Sequence, residues 1–293
     1  MHRDEQEAVP LTQVIMLGSG TSQGVPVIGC HCPVCTSADP RNQRTRASVY
    51  VRLGERGLVI DTATEFRLQC VRNGIERLDA VLFTHAHADH VHGLDDVRQF
   101  NAAASGLHDE AQASVPPAGF VPAAPSAAAA RSAARIPCYG SPETMGHLAQ
   151  KFDYFFRETQ AGGGKPNVEF IPVEGPFELF GRQVVPLPVL HGRLLVYGYR
   201  IGRFAYITDA SEVPPATMGK LDGLDTLILN ALRREPHPTH LSIGEAVAII
   251  ERLKPRRAFL THLTHRLDHA ETEAQLPPPI RLGYDGLTLD IPD

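Results

Sequence analysis

No apolar run in this chain approaches the length of a membrane span. Basic residues are not in excess either: 28 Lys and Arg stand against 33 Asp and Glu, a net charge of −5. That balance argues against a nucleic-acid surface, so no nucleic-acid partner and no membrane partner are expected. The first ten residues, MHRDEQEAVP, lack an apolar h-region. No signal peptide is therefore expected, and the cytoplasm is the expected location. The stretch GSGTSQG lacks the third glycine of a dinucleotide fingerprint. Gln23 follows Gly18-x-Gly20 and no helix starts at once, so a tight turn is expected rather than a cofactor cradle. Cysteine is sparse, five in 293 residues. In a reducing compartment these are thiols, metal ligands or catalytic groups, not disulfides. With 43% hydrophobic and 21% charged residues the composition is that of a globular protein. A chain of this length buries a substantial core without staples.

Strand signals dominate. VIML (14–17), ASVYVRL (47–53), LVID (58–61) and AVLF (80–83) read as strands, the middle two joined as a hairpin through GERG. RQVVPLPV, VYGYRIG, RFAYITD, TLILN and RAFLTH (257–262) read the same way. SIGEAVAIIERLK (242–254) is the clearest helix. Ser242 and Glu245 form a capping box, Ile243, Ala246, Val247, Ile250 and Leu253 form the apolar stripe, and Pro255 stops it. Residues 102–135 are alanine- and proline-rich with almost no large apolar side chains. They read as a mobile surface insertion within one continuing domain spanning 1–293.

The chemistry concentrates in THAHADHVHG, residues 84–93. In extended chain, residues two apart point the same way, so His85 and His87 can address one ion. Asp89 and His90 follow at once and can serve a second ion. Imidazole with carboxylate suits zinc, manganese or ferrous iron. His92 reads as a surface or supporting residue. One segment cannot close such a site. Three later strand ends supply His191, Asp209 and His262.

These residues resemble the motif set of the metallo-β-lactamase superfamily, and the resemblance spans essentially the whole chain outside the insertion. It implies an α/β fold, the four-layer αββα sandwich. It implies two divalent metals, zinc or manganese: His85, His87 and His191 at the first, Asp89, His90 and His262 at the second, Asp209 bridging. Oxygen- and nitric-oxide-reducing members carry glutamate where His87 stands, which favours hydrolysis. Asp61 matches a supporting aspartate of the family, and reads equally well as a strand-end turn residue.

A second cluster, GCHCPVC, holds Cys30, Cys32 and Cys35 and reads as a structural zinc knuckle. His265, three residues after His262, is a better fourth ligand than His31 inside the knuckle. Cys70 and Cys138 read as core thiols. The knuckle with GTSQGVPVIGCHCPVC, THAHADHVHGL, LPVLHGRLLVYGY, ITDAS, THLTH and GYDGLTLDI is similar to the phosphoribosyl 1,2-cyclic phosphate phosphodiesterase family of the carbon–phosphorus lyase pathway. That resemblance implies His265 as the fourth structural-zinc ligand and His240 as the catalytic histidine, and implies a small cyclic or nucleotide-like phosphodiester as substrate. The pyrroloquinoline-quinone biosynthesis protein of the superfamily also carries a cysteine cluster. The insertion is outside the phosphodiesterase pattern and puts the pocket's identity in question. A transfer-RNA-processing role is disfavoured, since no long glycine-proline arm is present.

A leaving alkoxide needs a proton. His240, just before the 242–254 helix, is the candidate donor, with Asp89 beside it in the catalytic set and His237 as a rival. The helix start is expected to favour a phosphate nearby. Arg193 is either a phosphate clamp or a solvated arginine. Two other readings compete: thioester or lactone hydrolysis on the same metals, and a non-catalytic metal- or ligand-binding protein. A homodimer is compatible with all three.

Overall fold

The computed structural model describes residues 12–104, 135–158 and 164–292. Its strands are β1 (Thr12–Gly18), β2 (Ser48–Leu53), β3 (Arg56–Ile60), β4 (Ala80–Leu82), β5 (Ile136–Gly140), β6 (Val168–Pro172) and β7 (Phe177–Leu179). They continue as β8 (Arg182–His191), β9 (Leu194–Ile201), β10 (Phe204–Ile207), β11 (Thr226–Asn230), β12 (Arg257–Thr261), β13 (Ile280–Leu282) and β14 (Thr288–Ile291). The α-helices are α1 (Phe66–Arg72), α2 (Ala88–Val91), α3 (Arg98–Ala104), α4 (Pro142–Lys151), α5 (Pro215–Met218), α6 (Ile243–Leu253) and α7 (His269–Glu273).

The strands form two mixed sheets, in the order β14-β1-β2-β3-β4-β5-β6 and β13-β12-β11-β10-β9-β8-β7. Side-chain alternation decides what each face meets. Val49 and Val51 of β2 and Tyr199, Tyr206 and Ile228 of the second sheet share one cluster, the layer between the sheets. The neighbouring residues of β10 and β11, Ala205, Ile207, Leu227 and Leu229, turn outward onto Ile243, Ala246 and Ile250 of α6. Tyr50, Val59 and Val81 turn to the other outside, onto Phe66 of α1 and Met145 and Leu148 of α4. Helix, sheet, sheet, helix is the four-layer sandwich expected from the sequence. β2 is buried on both faces because the second sheet covers one and the outer helices the other, so its pattern is less strictly alternating than a half-exposed strand.

The expected elements sit where the patterns place them. Ser242 and Glu245 make the full capping box, and Lys254 ends α6 in the left-handed region. Cys70 and Cys138 are buried in the outer core beside α1 and α4. One boundary differs: residues 102–104 finish α3, so the first residues assigned to the alanine-rich insertion are helical, since alanine favours helix where it follows an established turn. Residues 105–134, nearly all of that insertion, lie outside the described residues.

The topology gathers one end of the sandwich. β10, β11 and β12 run parallel, and β8 runs with them because β9 is antiparallel to both β8 and β10. β3 and β4 are parallel in the other sheet. The C-terminal ends of these strands carry Asp61, His85, His191, Asp209 and His262.

Candidate metal centre

Three of these strand-end residues hold a backbone conformation that side chains disfavour. Asp61, Asp209 and His262 have φ of 65°, 57° and 60°. A non-glycine residue there is uncommon, and such strain persists where the surroundings hold it. For Asp209 the holder is Asn230 at the end of β11. Its Oδ1 accepts from Ala210 N at 2.8 Å and its Nδ2 donates to Ala210 O at 3.0 Å.

Two sets of donor atoms converge. In each set, His85, His87, His191, Asp209 and Asp89, His90, Asp209, His262, the donor atoms lie within 4.8 Å of one another. Asp209 belongs to both. Its Oδ2 faces His85 Nε2 at 3.8 Å and His191 Nε2 at 3.9 Å. Its Oδ1 faces His90 Nε2 at 3.4 Å and His262 Nε2 at 3.2 Å. Asp89 Oδ2 adds contacts of 3.2 Å to His90 and 3.8 Å to His262. Asp89 and His90 sit in α2, for which the extended His87 is the N-cap.

The residues fit a metal. His90 Nε2 and both ring nitrogens of His262 are buried yet make no aligned hydrogen bond, despite the nearby carboxylates. Atoms aimed at a common point rather than at each other produce that pattern. His85 Nε2 and His87 Nδ1 stand 2.9 Å apart. Two nitrogen lone pairs that close repel unless a proton or cation lies beside them. The remaining ring nitrogens are spoken for. His90 Nδ1 donates to Asp61 Oδ2 at 2.7 Å, and His191 Nδ1 donates to Thr239 O at 2.7 Å. His85 Nδ1 donates to Thr84 Oγ1 at 3.0 Å, and that hydroxyl donates on to Asp61 Oδ2 at 2.8 Å. Each contact leaves the opposite Nε2 as a lone-pair donor, as metal-bound imidazoles require.

The electrostatics agree. Burial pushes the His85 ring well below the usual imidazole range, toward the neutral ligand form. Burial also disfavours charge on His90, but Asp209, Asp89 and Asp61 outweigh it and hold that ring's pKa well above normal. Burial would raise Asp209, yet His262 and His90 hold it well below the carboxylate range. Without a metal, the buried carboxylates draw protons onto their histidines; a bound cation would replace those protons.

His240 touches both halves. Its ring stacks on His262 at 4.9 Å between centroids and meets His191 edge-on at 4.7 Å. Its Nε2 lies 3.3 Å from Asp209 Oδ2. Burial lowers its pKa to about 4, so the ring is neutral before substrate arrives. His237 stands behind it, Nδ1 to Nδ1 at 3.2 Å, and does not reach the carboxylate. At the helix start expected to favour phosphate, two of the donors are already taken. Ile243 N already donates to Arg233 O at 2.9 Å, and the Glu245 carboxylate occupies the cap beside Ser242. Arg193 is exposed on the turn between β8 and β9 and pairs with no carboxylate among the described residues. His92 is exposed at the end of α2.

The cysteine cluster forms a second candidate centre. His265 Nδ1 lies 3.2, 3.5 and 3.6 Å from the sulfurs of Cys30, Cys32 and Cys35. A tetrahedron with zinc–sulfur and zinc–nitrogen bonds of about 2.3 and 2.0 Å sets neighbouring ligands roughly 3.5 Å apart. The Cys35 N–H holds the Cys32 thiol down to about 6, favouring thiolate. His31 is exposed and outside the group.

Several positioning residues carry weak sequence signals. Thr84 and Asn230 look like ordinary strand-end polar residues, and Thr239 like an ordinary loop residue. Asp285, in GYDGLTLDI, accepts from Ser19 N and Oγ at 2.9 and 2.8 Å and from Thr45 N and Oγ1 at 2.7 and 2.6 Å. It pins the GSGTSQG turn, where a Cβ on Gly18 would stand 2.0 Å from Arg46 O. That turn bonds Leu263 on both sides, beside His262. Arg44, fully buried, donates to Thr264 O and Leu267 O and braces the loop that carries His265.

Comparisons with known proteins bear on the family and the fold. A family model described as "Beta-lactamase superfamily domain" matches residues 56–128 and 123–263. A crystal structure described as a new diphosphatase from the PhnP family is 41% identical, with a TM-score of 0.82 over 96% of this chain and 97% of that one. Zn(2+)-bound PqqB from Methylobacterium extorquens shares the fold, with a TM-score of 0.68 at 19% identity over 95% of this chain and 100% of that one. An octanoyltransferase of Porphyromonas gingivalis is 36% identical over 93% of this chain. The chain spans only 50% of that protein's length. The fold, the two donor sets sharing Asp209 and these matches lead to one assignment: the chain belongs to the beta-lactamase superfamily, in its PhnP-like group.

Proposed function

We propose that this protein is a binuclear metal-dependent phosphodiesterase acting on a small cyclic or nucleotide-like phosphodiester. The observation that carries the reading is the division of Asp209 between the two histidine sets, Oδ2 toward one and Oδ1 toward the other. One carboxylate oriented in this way suits a pair of cations side by side. Two zinc or manganese ions, when bound, supply an activated water and neutralise charge developing at phosphorus. His85, His87 and His191 would hold one ion and Asp89, His90 and His262 the other, with Asp209 contributing to both sets. Asp61, Thr84 and the Thr239 carbonyl orient the rings. Cys30, Cys32, Cys35 and His265 would hold a structural zinc, joining the N-terminal loop to the loop after β12.

His240 acts on the leaving oxygen. Its ring is neutral in the free protein, and an anionic phosphate beside it raises its pKa. The ring therefore takes up a proton once substrate is in place and returns it to the departing alkoxide. His237 and the Thr239 hydroxyl, bonded at its Nδ1, fix its orientation. The relative named a diphosphatase, at 41% identity, supports attack at phosphorus. The octanoyltransferase name belongs to a protein twice as long and does not favour thioester chemistry here. No helix among the described residues is long and apolar enough to cross a membrane. A cytoplasmic location is proposed from the sequence reading alone.

The test is a hydrolysis panel on metal-loaded protein: bis(p-nitrophenyl) phosphate, cyclic nucleotides, linear diesters, a thioester and a lactone. Turnover of a diester well above the others is expected. Turnover of the thioester or lactone alone overturns the reading, and no turnover of any leaves the non-catalytic binding protein.

A further inference from the structure

We infer that Thr208 is a positioning residue for the second ion: its hydroxyl sets the plane of the Asp209 carboxylate. This rests on the two-metal reading of the site, not on the choice of substrate. Asp209 is held by two separate devices. Asn230 clamps the main chain behind it, through Ala210 N and O. That clamp leaves the carboxylate free to turn, since the last torsion of an aspartate has only a broad preference. The plane decides whether one oxygen can serve each donor set. Thr208 Oγ1 donates to Asp209 Oδ1 at 2.7 Å. The same Oδ1 faces His90 and His262, at the longer distances of 3.4 and 3.2 Å. Oδ2, turned to His85 and His191, meets His240 Nε2 at 3.3 Å. The bond from Thr208 is therefore the tightest grip on this carboxylate, and it is of the stronger, charge-assisted kind.

The placement of Thr208 follows from its strand. It continues β10, where side chains alternate, so it turns to the same side as Tyr206, into the layer between the sheets. Both residues are 0% exposed. A hydroxyl in that layer needs an acceptor from the protein, and the Asp209 carboxylate supplies it. Tyr206 Oη is buried there too and makes no aligned hydrogen bond among the described residues. Burial lifts the phenol's pKa most, and the Thr208 hydroxyl opposes that rise, so the two hydroxyls are neighbours. A hydroxyl has one proton and two lone pairs. With its proton committed to Asp209, Thr208 Oγ1 offers the phenol a lone pair. The phenol in turn keeps that proton pointed at the carboxylate. The bond also draws electron density from Oδ1, which by itself makes a weaker ligand. Orientation and electron withdrawal therefore predict opposite signs when the hydroxyl is removed.

The experiment titrates Mn2+ into protein whose cysteine centre already holds zinc, which thiolates prefer to manganese. Free Mn2+ is followed by its electron paramagnetic resonance signal. Thr208→Val keeps the shape of the side chain and removes the hydroxyl. It is expected to weaken one of the two binding steps about 10-fold, the scale of losing a group that orients a metal ligand, and to leave the other step unchanged. Thr208→Ser keeps the hydroxyl and loses the methyl, and should restore the weakened step. A packing role alone predicts the reverse, because serine leaves the larger gap. Neither step weakened, both weakened alike, a step tightened, or a serine variant as poor as valine overturns the inference. If Thr208→Val does not fold, Thr208→Ala is set against Thr208→Ser in the same way. A parent that takes up a single Mn2+ overturns the two-metal reading instead. The affinities of the valine and serine variants for that one ion then still decide whether the hydroxyl positions Asp209.

Discussion

His90 Nδ1 donates to Asp61 Oδ2 at 2.7 Å, and both groups are fully buried. The same carboxylate accepts from Thr84 N through Oδ1 and from Thr84 Oγ1 through Oδ2, each at 2.8 Å. Asp61 therefore orients His90 directly and His85 through a hydroxyl. Burial raises its pKa, which the His90 ring beside it opposes. Asp61→Ala should lower affinity at the second metal position roughly 10- to 100-fold while leaving the fold intact. Metal analysis after dialysis against a weak chelator checks this. Retention of both metals would make Asp61 a turn residue only.

Removing a ligand and removing the proton donor should differ. His87→Ala should lose metal and activity together. His240→Ala should keep both metals and lose about 10²- to 10⁴-fold in turnover on an alkyl or cyclic diester. The loss should shrink on a p-nitrophenyl ester, whose leaving group needs little protonation. Equal losses on the two substrates would move the donor role to His237 or to water.

The cysteine centre predicts a stability effect. Cys35→Ala should lower the melting temperature far more than a change at exposed His31, because zinc affinity is coupled to folding. Adding a strong chelator should lower the parent's melting temperature and move the variant little. A variant that melts like its parent would remove the zinc from this cluster.

Asp285→Asn tests the turn beside His262. The carboxylate accepts two hydrogen bonds on each oxygen. An amide nitrogen in place of one oxygen sets donor against donor in a buried site. A loss of about 2–4 kcal/mol is expected, read from denaturant unfolding, since unmatched buried donors each cost about 1–3 kcal/mol. A change under 1 kcal/mol would show the site relaxes or holds water.

Much of this protein is local in its sequence. Val49, Val51 and Leu53 alternate, Ser242 and Glu245 cap a helix, and His85, His87, Asp89 and His90 crowd into one loop after a buried strand. These signals survive because period, capping and ligand spacing act over a few residues. Other decisions are long-range. Nothing near Asp61 separates a turn residue from a histidine's anchor until parallel β3 and β4 bring it to Thr84 and His90. The sequence favours His240 over His237 only by its nearness to the helix start and by family resemblance; the packing of His240 between His191 and His262 is what sets the two apart in space. At the helix start beside them, Arg233 O and the Ser242 hydroxyl already take the Ile243 and Glu245 amides. The pairing of Asp285 with Ser19 and Thr45 joins residues more than 200 positions apart. The sequence determined the donors and the strands that carry them. The tertiary structure decided which oxygen of Asp209 faces which histidines, because that depends on two parallel strand sets ending at one edge.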